Sequence, residues 1–161
     1  MAVAEKFKMF NQAKEFIGDG TIDLDAGDAY FAWILVLSAY TEDLTDSTYA
    51  DVSANEHANG NGYLTGGIPA VGTAWTHAAG TVTFDCTTDP TWTAASGSIV
   101  ARRIMLVHVA AGSGDPQSTD KLICTCLMDS APDDITVTDT NTLTVQLNAS
   151  GIFTVSGGTA A

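Results

Sequence analysis

The chain has 161 residues, is 45% hydrophobic, and sets 19 acidic against 6 basic side chains, for a net charge of −13. That balance argues against direct nucleic-acid binding, which runs on Lys and Arg, while net charge of one sign favours solubility. The length suits one domain that buries about 70% of the surface its unfolded form exposes, with no need of a covalent staple.

The opening Met1–Lys8 lacks a continuous apolar stretch and a small-residue cleavage site, so no secretory signal is expected. Val3, Phe7, Phe10, Ala13 and Ile17 recur at helical spacing, which predicts a helix over 3–17 stopped at Gly18. Residues 1–18 are therefore expected to be a helix. It either packs on its own domain or serves as a partner-facing arm, because it carries Lys6, Lys8 and Lys14, half of the basic residues. Residues 19–161 are expected to form a single antiparallel β domain. Asp19-Gly20 signals a turn, Thr21–Asp25 alternates as a short strand, and Ala26-Gly27-Asp28 turns again. The apolar run Tyr30–Leu37 predicts a central strand covered on both faces. Its wider span, Ala29–Tyr40, is too short to cross a membrane, which takes about 20 residues.

Ser38–Ser53 is polar and irregular, with a helical turn expected at Ser47–Val52. Asn59-Gly60, Asn61-Gly62 and Gly66-Gly67 predict a loop with positive φ angles. Short strands are expected at Ala74–His77, Thr81–Asp85 and Thr91–Thr93, then a long one at Ile99–Val109. Ala110–Asp120 reads as a flexible connection and Lys121–Met128 as a buried strand. In Ile135–Val155 polar and apolar residues alternate on both sides of the turn Asn148–Gly151. The fold class is mainly β: an antiparallel β-sandwich or barrel-like domain with one N-terminal helix.

Candidate chemistry is sparse. His57, His77 and His108 are widely separated, with no metal-ligand spacing. Cys86, Cys124 and Cys126 are an odd count; they read as reduced core residues, with a disulfide from Cys86 as the alternative. The glycine-rich loop lacks a GK[ST] ending, so phosphate binding is not expected. Asp23, Asp25 and Asp28, and Asp133, Asp134 and Asp139, are acidic clusters without an EF-hand pattern and read as turn aspartates. Trp33, Trp75 and Trp92 could form a sugar-stacking platform, although Trp33 reads as core. Asn148-Ala149-Ser150 fits a glycosylation sequon but reads as a turn. No nucleophile, base and orienter set is visible, so no enzyme, cofactor or metal is expected.

Three segments, taken in order, carry a resemblance. The first runs Gln12-Ala13-Lys14-Glu15-Phe16-Ile17-Gly18-Asp19-Gly20-Thr21-Ile22-Asp23-Leu24-Asp25 and on through Ile34-Leu35-Val36-Leu37 to Ser38-Ala39-Tyr40-Thr41. The second runs Asp51-Val52-Ser53-Ala54-Asn55-Glu56, then Gly62-Tyr63-Leu64-Thr65-Gly66-Gly67-Ile68. The third is Asn148-Ala149-Ser150-Gly151-Ile152-Phe153-Thr154. The chain resembles a family of small virion proteins of tailed bacteriophages, some of which look like capsid decoration (cement) proteins. It departs from the family pattern in placing His57–Asn61 between Asn55-Glu56 and Gly62-Tyr63, where the family runs from Asn-Glu straight to Gly-x-Gly-Tyr, and in its Cys124-x-Cys126 strand.

The resemblance implies a protein of the outer capsid surface, made in the host bacterial cytoplasm, that binds the major capsid protein as a homo-oligomer, a trimer being favoured. It carries no catalytic residues to transfer. An acidic shell suits the solvent side of a head, away from packaged DNA, and repetition over many equivalent sites adds avidity. Lys6, Phe7, Lys8, Phe10 and Lys14 are the expected partner-binding residues. Deleting 1–17 is expected to abolish capsid binding while the sandwich still folds. The alternatives are a tail or neck adaptor and a carbohydrate-binding β-sandwich that exposes Trp75 or Trp92 to host-surface sugars.

Overall fold

The computed structural model describes residues 4–156. Its strands, in chain order, are β1 (Lys8–Met9), β2 (Phe31–Val36), β3 (Ile68–Pro69), β4 (Thr73–Ala78), β5 (Thr81–Cys86), β6 (Thr91–Thr93), β7 (Ile99–Ala101), β8 (Arg103–His108), β9 (Lys121–Leu127), β10 (Ile135–Val137), β11 (Thr142–Thr144) and β12 (Phe153–Ser156). Two α-helices interrupt them, α1 (Asn11–Gly18) and α2 (Tyr49–Val52). The described chain is mainly β, and the strand pairings are antiparallel.

The largest sheet has the order β1-β9-β8-β2-β3. Every residue of β2 is fully buried, as its unbroken apolar run predicts. Phe31, Trp33 and Leu35 share one face with their partners His108, Leu106 and Ile104. A three-stranded sheet, β12-β5-β4, lies against that face through Phe84, whose ring is 5.2 Å from Phe31. Two short ribbons, β10-β7 and β11-β6, complete the β structure as open sheets, not a closed barrel. One continuous cluster of buried side chains joins all of these elements.

The helix expected over 3–17 is shorter. Val3 lies outside the described residues; among those described, only Asn11–Gly18 of this span is helical, and Lys8 and Met9 pair instead with Thr125 and Cys124 of β9. A bulge between β8 and β9 leaves Ile123 without a partner on β8, and its carbonyl accepts the N–H of Phe10 at 3.1 Å. Phe10 is the extended residue before α1, with ψ 146°, so the helix cannot begin earlier. Thr21–Asp25 is not a strand: it is a run of turns in which Ile22 and Leu24 plug the core. The expected long strand Ile99–Val109 breaks at Arg102, where the chain leaves the β10-β7 ribbon for the large sheet, a corner of the kind sandwiches use. The Asn148–Gly151 turn closes no hairpin, since β11 pairs with β6 and β12 with β5.

Candidate interaction surfaces

The N-terminal segment is built into the fold. Glu5 N–H donates to the Leu127 carbonyl at 2.9 Å, and Asn11 N–H to that of Leu44 at 2.9 Å. Of the five expected partner-binding residues, Phe10 is fully buried and forms no surface, which corrects its place in that set. Phe7 is half-buried, its ring 5.6 Å from Trp33. Lys8 is held by Glu5 at 3.0 Å and Glu42 at 3.1 Å, and the Glu5 and Glu42 carboxylates raise its pKa. Only Lys6 and Lys14 are exposed without an ion pair among the described residues.

The other cations are also engaged internally. Arg103 meets Glu42 at 2.5 Å, Arg102 meets Asp134 at 2.8 Å, and Lys121 lies 5.0 Å from the centre of the Phe16 ring. The carboxylates do more than confer solubility. Asp19, Asp23, Asp43 and Asp129 each accept a main-chain N–H two residues on, closing their own turns. Others tie distant loops together. Asp28 accepts from Gly72 N–H at 2.9 Å and Thr73 N–H at 2.7 Å, Asp89 from Leu147 at 2.8 Å, and Asp139 from Ser96 at 2.7 Å. These donors stabilise the ionised form, so the Asp28 carboxyl titrates below its ordinary value.

Glu56 is the one buried glutamate of the described chain. It accepts from the Tyr49 hydroxyl, from the Tyr63 hydroxyl at 2.5 Å and from Gly66 N–H at 2.7 Å, while the Tyr63 oxygen accepts from Leu35 N–H at 3.1 Å. Burial first, then the Glu56 carboxylate, keeps both phenols protonated and donating. The knot pins the glycine-rich loop to β2. Two glycines permit the close approach. A Cβ at Gly67 (φ +78°) would sit 1.9 Å from the Trp33 carbonyl oxygen, and one at Gly62 (φ +89°) 2.0 Å from that of Thr93. The segment Asn55-Glu56…Gly62-Tyr63 that carries part of the resemblance is thus a structural brace. At its tip Leu64 is 69% exposed. Sequence reasoning passed over this residue; its signal was a lone large apolar side chain between glycines and polar residues.

Trp33 and Trp92 are buried, which removes Trp92 from any sugar platform. Trp75 is half-buried, 6.3 Å from the Phe153 ring. His57 is buried beside Tyr63, His77 is exposed on β4, and His108 is buried beside Tyr30 and Phe31. Burial pushes the His108 imidazole below its ordinary value, against the pull of Asp120 and Asp23. Among the described residues no three His, Cys, Asp or Glu side chains converge as metal ligands, and no helix is long and apolar enough to cross a membrane. The three cysteines are free and buried; burial pushes Cys86 up to about 12 and Cys126 to about 11, which makes both poor nucleophiles. A shallow groove of about 880 Å³ runs between residues 4–7 and 145–154. Comparison with protein-family models, with curated proteins and with solved structures found no match.

Proposed function

We propose that the chain is a capsid decoration protein that binds the outer face of a bacteriophage head as a homo-oligomer, with no catalytic role. The observation that carries this reading is the distribution of charge. Four of the six cations are taken up inside the molecule by Glu5, Glu42, Asp134 and the Phe16 ring, so the surface offered to a partner is strongly acidic. Such a surface is repelled by packaged DNA and tolerated on the solvent side of a shell. Lys6 and Lys14, exposed on one stretch of chain, and Leu64, presented on a braced loop, are the side chains assigned to the major capsid protein.

Cryo-electron microscopy of the particle that carries this chain tests the reading. Density for the fold at regular sites over the head surface is expected. Density confined to the tail or neck would replace the decoration role with an adaptor role, and absence from the particle would overturn both. Lys6→Glu/Lys14→Glu is expected to weaken head binding while the circular dichroism spectrum stays that of the parent.

A further inference from the structure

In a chain of net charge −13, no Asp, Glu, Lys or Arg occurs between Glu56 and Asp85, and none follows Asp139. The fold brings these two stretches together as the sheet β12-β5-β4, whose one charged residue, Asp85, sits near the core end of β5. One end of the sheet covers the core through Phe84. The other end projects beyond it: Thr76, His77 and Ala78 are exposed, and Val155 is 49% exposed opposite Val82. On the face turned away from Phe84 the register lines up Thr76, Thr83 and Thr154, β-branched residues suited to a pleated surface.

The β4 edge is open. Ala79 and Gly80, with φ 50° and 81°, make a two-residue turn, so Ala78 and Thr81 form its hydrogen-bonded closing pair. Alternation then aims the main-chain N–H and C=O groups of Trp75 and His77 away from β5, and no described group bonds their N–H. Proteins blunt such edges with charge, proline, bulges or brevity. The large sheet does so: β1 has two residues, and β3 has two, one of them Pro69. The β4 edge has six residues in unbroken register with β5, without charge, proline or bulge.

We infer that the projecting end of the β12-β5-β4 sheet, led by its uncharged β4 edge, is where two copies of this chain meet. Charge selects the occupant. Copies at −13 repel one another over the rest of their surface, whereas the projecting end of this sheet, from Trp75 to Phe84 and along β12, carries no carboxylate to oppose another copy. A basic partner would be drawn to the acidic surface in preference to this one. In an antiparallel contact of β4 with β4 of a second copy, Trp75 of one chain stands opposite His77 of the other, and the outward groups of both can pair.

Sedimentation of the full chain over a concentration series, in low and high NaCl, tests this. The expected result is a reversible oligomer that tightens as salt screens the repulsion between copies. Thr76→Glu and Thr83→Glu should each weaken association by about tenfold or more, with the circular dichroism spectrum and melting temperature kept, while Thr76→Ser should assemble like the parent. An even number of copies reports β4 against β4; three copies report β4 against β12 of the neighbour, and both support the inference. A protein that stays monomeric to about 100 µM, or an oligomer indifferent to both glutamates, overturns it. The inference rests on the homo-oligomer of the proposed function: a monomer that still decorates heads sinks this contact and the oligomer but leaves the decoration role, and an oligomer absent from heads sinks the decoration role alone.

Discussion

At the scale of single residues, the brace between Glu56 and Tyr63 decides how the glycine-rich loop is held. The Tyr63 hydroxyl donates to Glu56 and accepts from Leu35 N–H, all within a buried site. Tyr63→Phe removes both bonds; it leaves the Leu35 N–H without a partner, while Glu56 Oε1 keeps only the Gly66 N–H. Urea unfolding should show a loss of about 1–3 kcal/mol, the cost of stranding buried polar groups. A loss near zero would mean that the loop is held by packing alone. Gly67→Ala should cost more, about 2–5 kcal/mol, because a positive φ is added to a Cβ forced onto the Trp33 carbonyl. Neither effect depends on a partner, so both should appear in the isolated protein; under the proposed decoration role, a decrease in head binding would follow from the misplaced Leu64.

At the scale of elements, β1 and α1 determine whether the N-terminus is an arm or part of the body. Phe10 is fully buried between a strand pairing on one side and a helix on the other. Phe10→Ala should therefore destabilise the protein by about 3–5 kcal/mol, whereas Lys14→Ala on the exposed face of α1 should stay within about 0.5 kcal/mol. For the same reason, deleting residues 1–17 opens the core and takes β1 from β9, so a sandwich left intact is no longer the expected result. The reach of the sequence follows from the same elements. The central strand β2 was legible because six consecutive apolar residues leave no solvent face, and α2 in outline because Tyr49 and Val52 stand three apart as apolar anchors, both buried; the capping box of Thr48 and Asp51 sets its start. The start of α1 was not legible. Phe7, Phe10 and Ala13 keep helical spacing by coincidence, and what overrides it is the edge of β9, more than a hundred residues away, which turns the carbonyls of Ile123 and Leu127 toward Phe10 and Glu5. Thr21–Asp25 misled in the opposite sense: its alternation is real, but Ile22 and Leu24 anchor a turn with no neighbouring strand to pair. The candidate surface was less legible still. Charge counts gave its sign, but which lysines remain free depends on Glu42 reaching both Lys8 and Arg103 across the chain.

At the scale of the whole molecule, the acidic residues oppose folding by mutual repulsion and support it as loop ties, and pH separates the two roles. Repulsion spreads over the surface and is screened by salt; at about 0.5 M NaCl the screening length is below about 5 Å. Main-chain bonds to Asp28 and Asp51 are local and survive it. Gly72 and Thr73 hold the Asp28 carboxyl below its ordinary 3.8, and Ser47 and Thr48 do the same for Asp51. A carboxyl whose folded pKa is depressed contributes fully above its unfolded pKa and loses that contribution as pH falls through the folded value. His108 also has a depressed folded pKa, first because burial penalises its charged form, so stability begins to fall once pH drops below its ordinary 6.5. Melting temperatures in high salt should therefore decline in two stages, a first below 6.5 and a second below 3.8. His108→Gln should flatten only the first. Asp28→Asn should lower stability at pH 7 and flatten part of the second, because the amide has one acceptor where the carboxylate has two. At pH 7, adding salt to the parent should raise the melting temperature, since relief of repulsion among an excess of 13 negative charges outweighs the weakening of a few surface ion pairs worth about 0–1 kcal/mol each. A melting temperature that falls with salt would mean that the Glu5–Lys8–Glu42–Arg103 chain of pairs contributes more to the fold than self-repulsion takes away.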